Sequence, residues 1–408
     1  MGPGKRKDAV TRLVFDALSF LMQGNDRADL ILNNLFRVNK VTDEIVRRET
    51  AKVFYGLIRF WRPLTSAIRL GEVLFPADAE RLVDAYQMWI DLYQGKPASP
   101  FVPGGQVNVQ LEDKLRKYLR VRKIRESLSD WLDETGVKEL GEAKWEETIH
   151  FLNMEPRVFL RTNTALISAG DLARQLNEEG IDVHEVEDLP GALLLGEFRN
   201  VFALKAYNDG LFEVQDRSSQ ETALFCKVKS GMVVIDACAG AGGKTLHLAS
   251  LMKNSGKIHA LDTQGGKLKT LRERCSKAKT DIVETKEITS EDIIKSYAGK
   301  ADIVLLDVPC TGSGVLRRNP DAKWRMDEED LTRLHELQKH ILEQYSVMVK
   351  TGGTLVYSTC SVFPSEGEEQ ATWFSALKSG EWELEEQKRT GIDKNLGDGF
   401  FMARWRKK

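Results

Sequence analysis

Cys310 and Cys360 are the residues best placed to do chemistry. Each closes an apolar run, Ile303-Val304-Leu305-Leu306-Asp307-Val308-Pro309-Cys310 in one case and Leu355-Val356-Tyr357-Ser358-Thr359-Cys360 in the other. Such runs read as parallel strands buried on both faces. Each thiol would then stand at the carboxyl end of its strand, where open α/β sheets place their ligand crevice. A third run, Val233-Val234-Ile235-Asp236, leads into the glycine-rich turn Cys238-Ala239-Gly240-Ala241-Gly242-Gly243-Lys244-Thr245. A fourth, Lys257 to Leu261, ends at Asp262, an acid positioned to accept hydrogen bonds from two ribose hydroxyls. The expected chemistry is thiol-based catalysis beside a nucleotide-like cofactor, along one sheet edge.

Taken singly, a cysteine is most often a small core hydrophobe. The context argues otherwise. Thr311 to Arg325 contains glycine, proline and the cations Arg317, Arg318, Lys323 and Arg325. It reads as an exposed cationic loop opening directly after a thiol, suited to an anionic substrate. Three cofactor classes compete for the turn. Gly243-Lys244-Thr245 with Ile303 to Asp307 mimics a P-loop ATPase, but Cys238 stands where that loop needs its first glycine. Gly240 and Gly242 fit a nicotinamide turn, but Thr245 occupies the third glycine position. A ribose-binding acid without a phosphate cradle fits S-adenosylmethionine.

The surrounding elements follow from periodicity. Val10, Leu13, Val14, Ala17, Leu18 and Leu21 share one helical face, and similar patterns recur to Ile90, so the first part reads as a helical bundle. Gly95 to Pro100 and Pro103-Gly104-Gly105 break it. Short strands at Val158–Arg161, Val183–Val186, Ala192–Leu195 and Leu211–Val214, with a helix at Asp171–Glu179, suggest a small α+β module. From Met232 strands alternate with helices, predicting a doubly wound, mostly parallel sheet. Trp382–Leu384 and Phe400–Ala403 read as a late antiparallel pair at one edge.

Asp236 to Thr245, Asp307-Val308-Pro309-Cys310-Thr311-Gly312-Ser313-Gly314 and Ser358-Thr359-Cys360-Ser361 resemble the RNA cytosine-5 methyltransferases of the Sun family, over residues 150–408. Arg161-Thr162-Asn163 and Val214-Gln215-Asp216 are similar to the RNA-binding module that precedes the catalytic domain there. The opening helices, Tyr55 to Arg62 above all, resemble the NusB-type domain of bacterial 16S ribosomal RNA members. The resemblance implies an α/β, Rossmann-like S-adenosylmethionine-dependent methyltransferase sheet over 231–408. An α+β RNA-binding module over 126–230 and an all-α NusB-like domain with a basic linker over 1–125 would precede it. It implies methyl transfer to carbon 5 of a cytidine in structured RNA, with 16S ribosomal RNA expected and transfer RNA as the alternative. An RNA-linked ATPase and a non-catalytic ribosome-assembly factor are the readings from other classes.

Carbon 5 of cytosine is a poor nucleophile until a thiolate adds to carbon 6 and turns the ring into an enamine. Spacing does not rank the two thiols. The resemblance makes Cys360 the nucleophile and Cys310 the group that assists release. Asp307, three residues before Cys310, is placed to hydrogen-bond the ring nitrogen and amino group as charge develops. By the same resemblance Cys238, Ala239, Gly240, Ala241, Gly242, Gly243, Lys244, Asp262 and Asp307 line the cofactor site, with Glu287 as the acid for the adenine side. Arg161, Asn163, Arg317, Arg318, Lys323 and Arg325 would hold RNA. Two departures stand out: Ala241 where the family usually has proline, and Glu366-Gly367 where it usually has Glu-Asn.

With 408 residues, 42% hydrophobic and 29% charged, the chain is globular and long enough for two or three domains. A net charge of −2 gives no whole-protein field. Lys114 to Arg125 holds seven basic residues and no acid, either a solvated helix face or a nucleic-acid contact. Five scattered cysteines without a Cys-x-x-Cys pair argue against a disulfide framework and a structural metal. No apolar stretch approaches the ~20 residues of a membrane span. Arg12 and Asp16 interrupt the only early apolar segment, and Arg6 stands where a myristoylation signal at Gly2 wants a hydroxyl. A cytoplasmic, monomeric protein is expected.

Overall fold

A computed structural model describes residues 3–24, 27–71, 74–96, 109–197, 199–392 and 397–408. Of the expected breaks, residues 97–100 and 103–105 lie outside these residues, as does Gly2. Contacts divide the chain into two units, Met1–Met154 with Leu316–Met326, and Glu155–Val315 with Asp327–Lys408.

The first unit is helical: Pro3–Gln23, Ala28–Val38, Glu44–Arg59, Trp61–Ile68, Pro76–Tyr93, Val109–Tyr118, Arg122–Arg125, Asp130–Leu140 and Glu142–Leu152. Its core is the periodic set read above, with Leu13, Val14, Ala17 and Leu18 packed among Phe54, Leu57, Ile58, Leu82 and Trp89. Within this unit Glu126 ties the later helices to the earlier ones. Its carboxylate accepts from Tyr93 Oη and Asn153 Nδ2, both at 2.7 Å. The basic stretch is partly structural: Arg122 pairs with Asp133, Lys123 with Asp130 and Arg125 with Glu126.

Burial would raise the pKa of Glu126, but hydrogen bonds from His150, Arg125, Asn153 and Tyr93 outweigh it and hold the carboxyl down to about 2. The unfolded chain, with a glutamate pKa of about 4.3, binds the proton first as pH falls. This group therefore contributes stability above about pH 4.3 and loses it toward pH 2, on the order of 3 kcal/mol in total. Glu126→Gln should flatten the fall of the denaturant midpoint between pH 5 and about pH 2. Parallel acid profiles for wild type and variant would remove Glu126 from the acid response.

The segment Leu316–Met326 contradicts its reading as an exposed loop. Arg317 and Lys323 are fully buried within the helical unit. Lys323 Nζ donates to Arg59 O at 3.0 Å, to Glu126 O at 2.9 Å and to Asn153 Oδ1. Arg59 donates both terminal nitrogens to Arg317 O at 2.9 Å, and the Arg317 guanidinium lies 5.1 Å from the Phe151 ring centroid. Neither cation is available to RNA phosphates. Arg318 is half-buried, and Arg325 is exposed and paired with Asp321.

The second unit holds two sheets. β1 (Phe159–Thr162), β2 (Val183–Glu185), β3 (Ala192–Leu195) and β4 (Phe212–Val214) form an antiparallel sheet in the order β2-β3-β1-β4. The large sheet contains β5 (Val233–Asp236), β6 (Lys257–Asp262), β7 (Val283–Glu287), β8 (Ala301–Asp307), β9 (Val349–Thr359), β10 (Trp382–Thr390) and β11 (Phe400–Lys407), in the order β10-β11-β9-β8-β5-β6-β7. The five strands from β9 to β7 in that order run parallel, the Rossmann-like arrangement. β10 and β11 form the expected antiparallel pair at one edge, with β10 outermost and β11 also antiparallel to β9.

Period-two alternation explains the unbroken apolar runs. Ile235, Val304, Leu306, Leu355 and Tyr357 face helices Glu328–Tyr345 and Glu368–Leu377 through Ile341, Leu342, Ala371 and Phe374. Val234, Ile303, Leu305 and Val356 face helices Arg217–Phe225 and Gly243–Leu251 through Ala223, Phe225, Leu248 and Ala249. With helices on both faces, every position in a central strand must be apolar.

Candidate active site at the carboxyl edge of the large sheet

Register brings the singled-out residues to one edge. Asp236 pairs with Ala260 and Leu305, Asp262 with Glu287, and Asp307 with Ser358. Asp236, Asp262, Glu287, Asp307 and Cys360 are thus aligned at the carboxyl ends of β5, β6, β7, β8 and β9.

The two thiols meet there: Cys310 Sγ lies 3.3 Å from Cys360 Sγ. Their loops are stitched together by the residues that follow each cysteine. Ser313 Oγ bonds Ser361 Oγ at 2.9 Å and accepts from Val362 N. Gly314 N donates to Cys360 O at 3.0 Å. A Cβ on Gly314 would lie 1.9 Å from Gly399 O and 2.9 Å from Cys360 O, so this position requires glycine. The hydrogen bond to Cys360, reinforced by burial, pushes the Cys310 thiol well above its ordinary pKa. Either sulfur can donate across this contact.

Glu366 and Gln338, absent from the sequence reading as site residues, lock the Cys310 loop. The fully buried Glu366 carboxylate accepts from Thr311 N at 2.9 Å, from Thr311 Oγ1 and from Gln338 Nε2 at 2.9 Å. Gln338 Nε2 also donates to Pro309 O at 3.0 Å, and Tyr357 Oη to Glu366 O at 2.8 Å. The glutamate after Pro364 was visible only as part of a departing motif; the buried carboxylate is the stronger signal.

Lys244 Nζ contacts Asp307 Oδ2 at 2.7 Å and lies 5.1 Å from the Phe400 ring centroid. Burial disfavours its charge, but Asp307 outweighs burial and holds Lys244 above its ordinary pKa. Asp236, buried beneath, accepts from Thr245 Oγ1 at 2.7 Å, and burial pushes its carboxyl up to about 7.

The cofactor-side residues fit an adenosine ligand. Asp262 accepts one backbone bond on each oxygen, Gly240 N on Oδ2 and Gln264 N on Oδ1, both at 2.8 Å. Each oxygen keeps a lone pair for a hydroxyl. Gly240 has φ +54°, and the space where a Cβ would stand is open. Glu287 is exposed and lies over Gly265, where a Cβ would come within 2.5 Å of Oε2. Among the described residues no group of three or more His, Cys, Asp or Glu could hold a metal, and no helix is long and apolar enough to cross a membrane.

Arg161 and Asn163 are buried, which corrects their assignment to RNA. Arg161 Nη1 donates to Gln215 Oε1 at 2.6 Å and to Gly243 O. Asn163 Nδ2 donates to Gly210 O at 3.1 Å and Ala278 O at 3.0 Å. Both brace backbone instead of reaching solvent.

Residues 223–405 match the family model described as 16S rRNA methyltransferase RsmB/F, and residues 128–202 match its ferredoxin-like domain. A ribosomal RNA small subunit methyltransferase B of Photorhabdus laumondii is 30% identical over 74% of this chain and 73% of its own length. A "Probable ribosomal RNA small subunit methyltransferase B" of Bacillus subtilis is 30% identical over 89% and 87%. Among solved structures, PH0851 superposes with a TM-score of 0.79 at 26% identity over 98% of both chains. A methyltransferase homologue from Pyrococcus horikoshii does so with 0.62 at 28% identity, over 70% of this chain and 98% of its own.

Proposed function

The chain belongs to the 16S rRNA methyltransferase RsmB/F family, and from that premise we propose that it methylates carbon 5 of a cytidine in 16S ribosomal RNA through a covalent Cys360 adduct. The observation that carries this reading is the pair of thiols at 3.3 Å on the same sheet edge as the Lys244–Asp307 ion pair. S-adenosylmethionine, when bound, would supply an electrophilic methyl group. Asp262 would hold its ribose, with the loop Cys238 to Gly243 beside it and Glu287 on the adenine side.

Cys360 as thiolate forms the bond to carbon 6, and the displaced π pair makes carbon 5 nucleophilic. The Cys310 S–H, donated toward Cys360, stabilises that thiolate. Asp307, oriented by Lys244, accepts a hydrogen bond from the cytosine amino group as the ring charge shifts. After methylation the carbon 5 proton passes to a water molecule, its bonding pair re-forms the ring double bond, and the bond to Cys360 breaks with its electrons on sulfur, where the Cys310 S–H stabilises the departing thiolate. Cys310 assists this elimination. The target base must leave its stack to reach a site of this kind. Arg318 and Arg325, which keep solvent access, are the loop cations proposed to meet phosphate. The protein is proposed to act as a cytoplasmic monomer.

Bisulfite sequencing of ribosomal and transfer RNA incubated with the protein and S-adenosylmethionine tests the function. A single newly protected cytidine in 16S RNA is expected. Protection confined to transfer RNA would move the substrate, and no protection in either would overturn the cytosine-5 reading. On the cofactor side, Asp262→Ala should weaken S-adenosylhomocysteine binding by about 1–3 kcal/mol, the scale of a lost charged hydrogen bond. An unchanged calorimetric affinity would take Asp262 out of the site.

A further inference from the structure

Three side chains from three different elements grip consecutive parts of the glycine-rich loop. Asp262, at the end of β6, holds Gly240 N. Arg274, in the helix Gly265–Lys277, donates Nη1 to Ala241 O at 2.6 Å. Arg161, in β1 of the small sheet, donates to Gly243 O. Glu213, buried on β4 of the same sheet, accepts from Arg274 Nη2 at 3.0 Å and lies 3.4 Å from Lys277 Nζ. Both guanidinium grips on the loop therefore depend on side chains of the small sheet.

Resting on the reading of this loop as the S-adenosylmethionine site, we infer that Arg161 and Arg274 are positioning residues that hold the cofactor loop in its binding conformation.

The loop needs such restraint. Gly240 and Gly242 sit at φ +54° and +86°, and glycine loses more freedom on ordering than any other residue. Ala241 between them has no ring to fix its φ. A loop already ordered in the free protein spares the ligand the entropy of ordering it. The burial of Arg161 points the same way. It is 3% exposed, its Nε has no partner among the described residues, and burial pulls its guanidinium down to about 9. A buried cation whose bonds go to an amide oxygen and a loop carbonyl is poor core filling. Its directional contact with Gly243 O is what an apolar side chain could not reproduce.

The test uses the full chain with Arg274→Leu. Two quantities are read: hydrogen exchange of the Gly240–Gly243 amides in the free protein, and the calorimetric affinity for S-adenosylhomocysteine. Exchange should rise selectively in the loop. The dissociation constant should rise about ten- to a hundredfold, the scale of a lost charged hydrogen bond, with RNA affinity within about twofold of wild type. If Arg274→Leu does not fold, Arg274→Gln retains part of the stem and one donor group, enough for only one of the two partners, and is read in the same way. A folded variant with unchanged loop exchange and unchanged affinity overturns the inference. So does a general loss of stability without selective loop exchange. Wild-type protein that fails to bind S-adenosylhomocysteine would instead strike the cofactor reading, and the inference with it.

Discussion

Cys360→Ala is expected to give neither methylated RNA nor a covalent complex, while Cys310→Ala gives a protein–RNA adduct that survives denaturing electrophoresis. Removing a covalent nucleophile lowers turnover on the order of a thousandfold or more, so the first variant should be inactive at any practical enzyme concentration. The second still has the Cys360 thiol, and its loop is still held by Glu366 through Thr311 N and Oγ1. It should add to carbon 6, methylate, and then stall before elimination. The opposite outcomes follow from the separate roles proposed for two sulfurs that lie 3.3 Å apart, attack for Cys360 and assistance of release for Cys310. Both variants should bind S-adenosylhomocysteine as wild type does, since neither sulfur belongs to the loop or to Asp262. A stable adduct with Cys360→Ala and none with Cys310→Ala would exchange the two roles. Full activity in both would sink the covalent mechanism.

The carboxyl edge of the large sheet was legible because it depends on short-range pattern. β8 and β9 read as buried strands from their unbroken apolar runs, and the acids and thiols at their ends fall into register once the strands are parallel. The interior place of β11 had a signal as well. Phe400 to Trp405 is buried throughout, whereas β10, Trp382-Glu383-Leu384-Glu385-Glu386-Gln387-Lys388-Arg389-Thr390, carries the charges of an edge strand. What could not be read was where isolated cations go. Arg161, Arg317 and Lys323 look exposed because charge normally is. Arg161 and Lys323 donate to backbone carbonyls remote in sequence, Gly243 O and Arg59 O among them. A carbonyl is present at every residue, so no side-chain pattern marks the ones that receive a cation. Glu366 escaped for a related reason: its donors, Thr311 and Gln338, lie on other elements.

Lys323→Met separates a structural lysine from an RNA-binding one. Lys323 Nζ serves three acceptors, and Glu126 O among them keeps a second donor in Asn153 Nδ2 at 2.8 Å. Arg59 O and Asn153 Oδ1 would lose the lysine's hydrogen bonds inside the helical unit. At about 1–3 kcal/mol for each buried acceptor left unsatisfied, and with some return from the added apolar surface, the unit should lose about 2–4 kcal/mol of stability. The pH dependence carries an independent signature. Burial, and then the nearby Arg59 charge, pull the pKa of Lys323 well below its ordinary value. Between that lowered value and about 10.4 the unfolded chain binds the proton that the folded chain lacks, so this group makes wild-type stability rise with pH. Lys323→Met should lose that part of the rise. A lysine on RNA phosphate would behave differently: its removal would leave stability alone and reduce the salt dependence of RNA binding by about one counterion. The expected result is a lower denaturant midpoint, a flatter alkaline profile and an unchanged salt slope. An unchanged midpoint with a shallower salt slope would return Lys323 to the RNA surface.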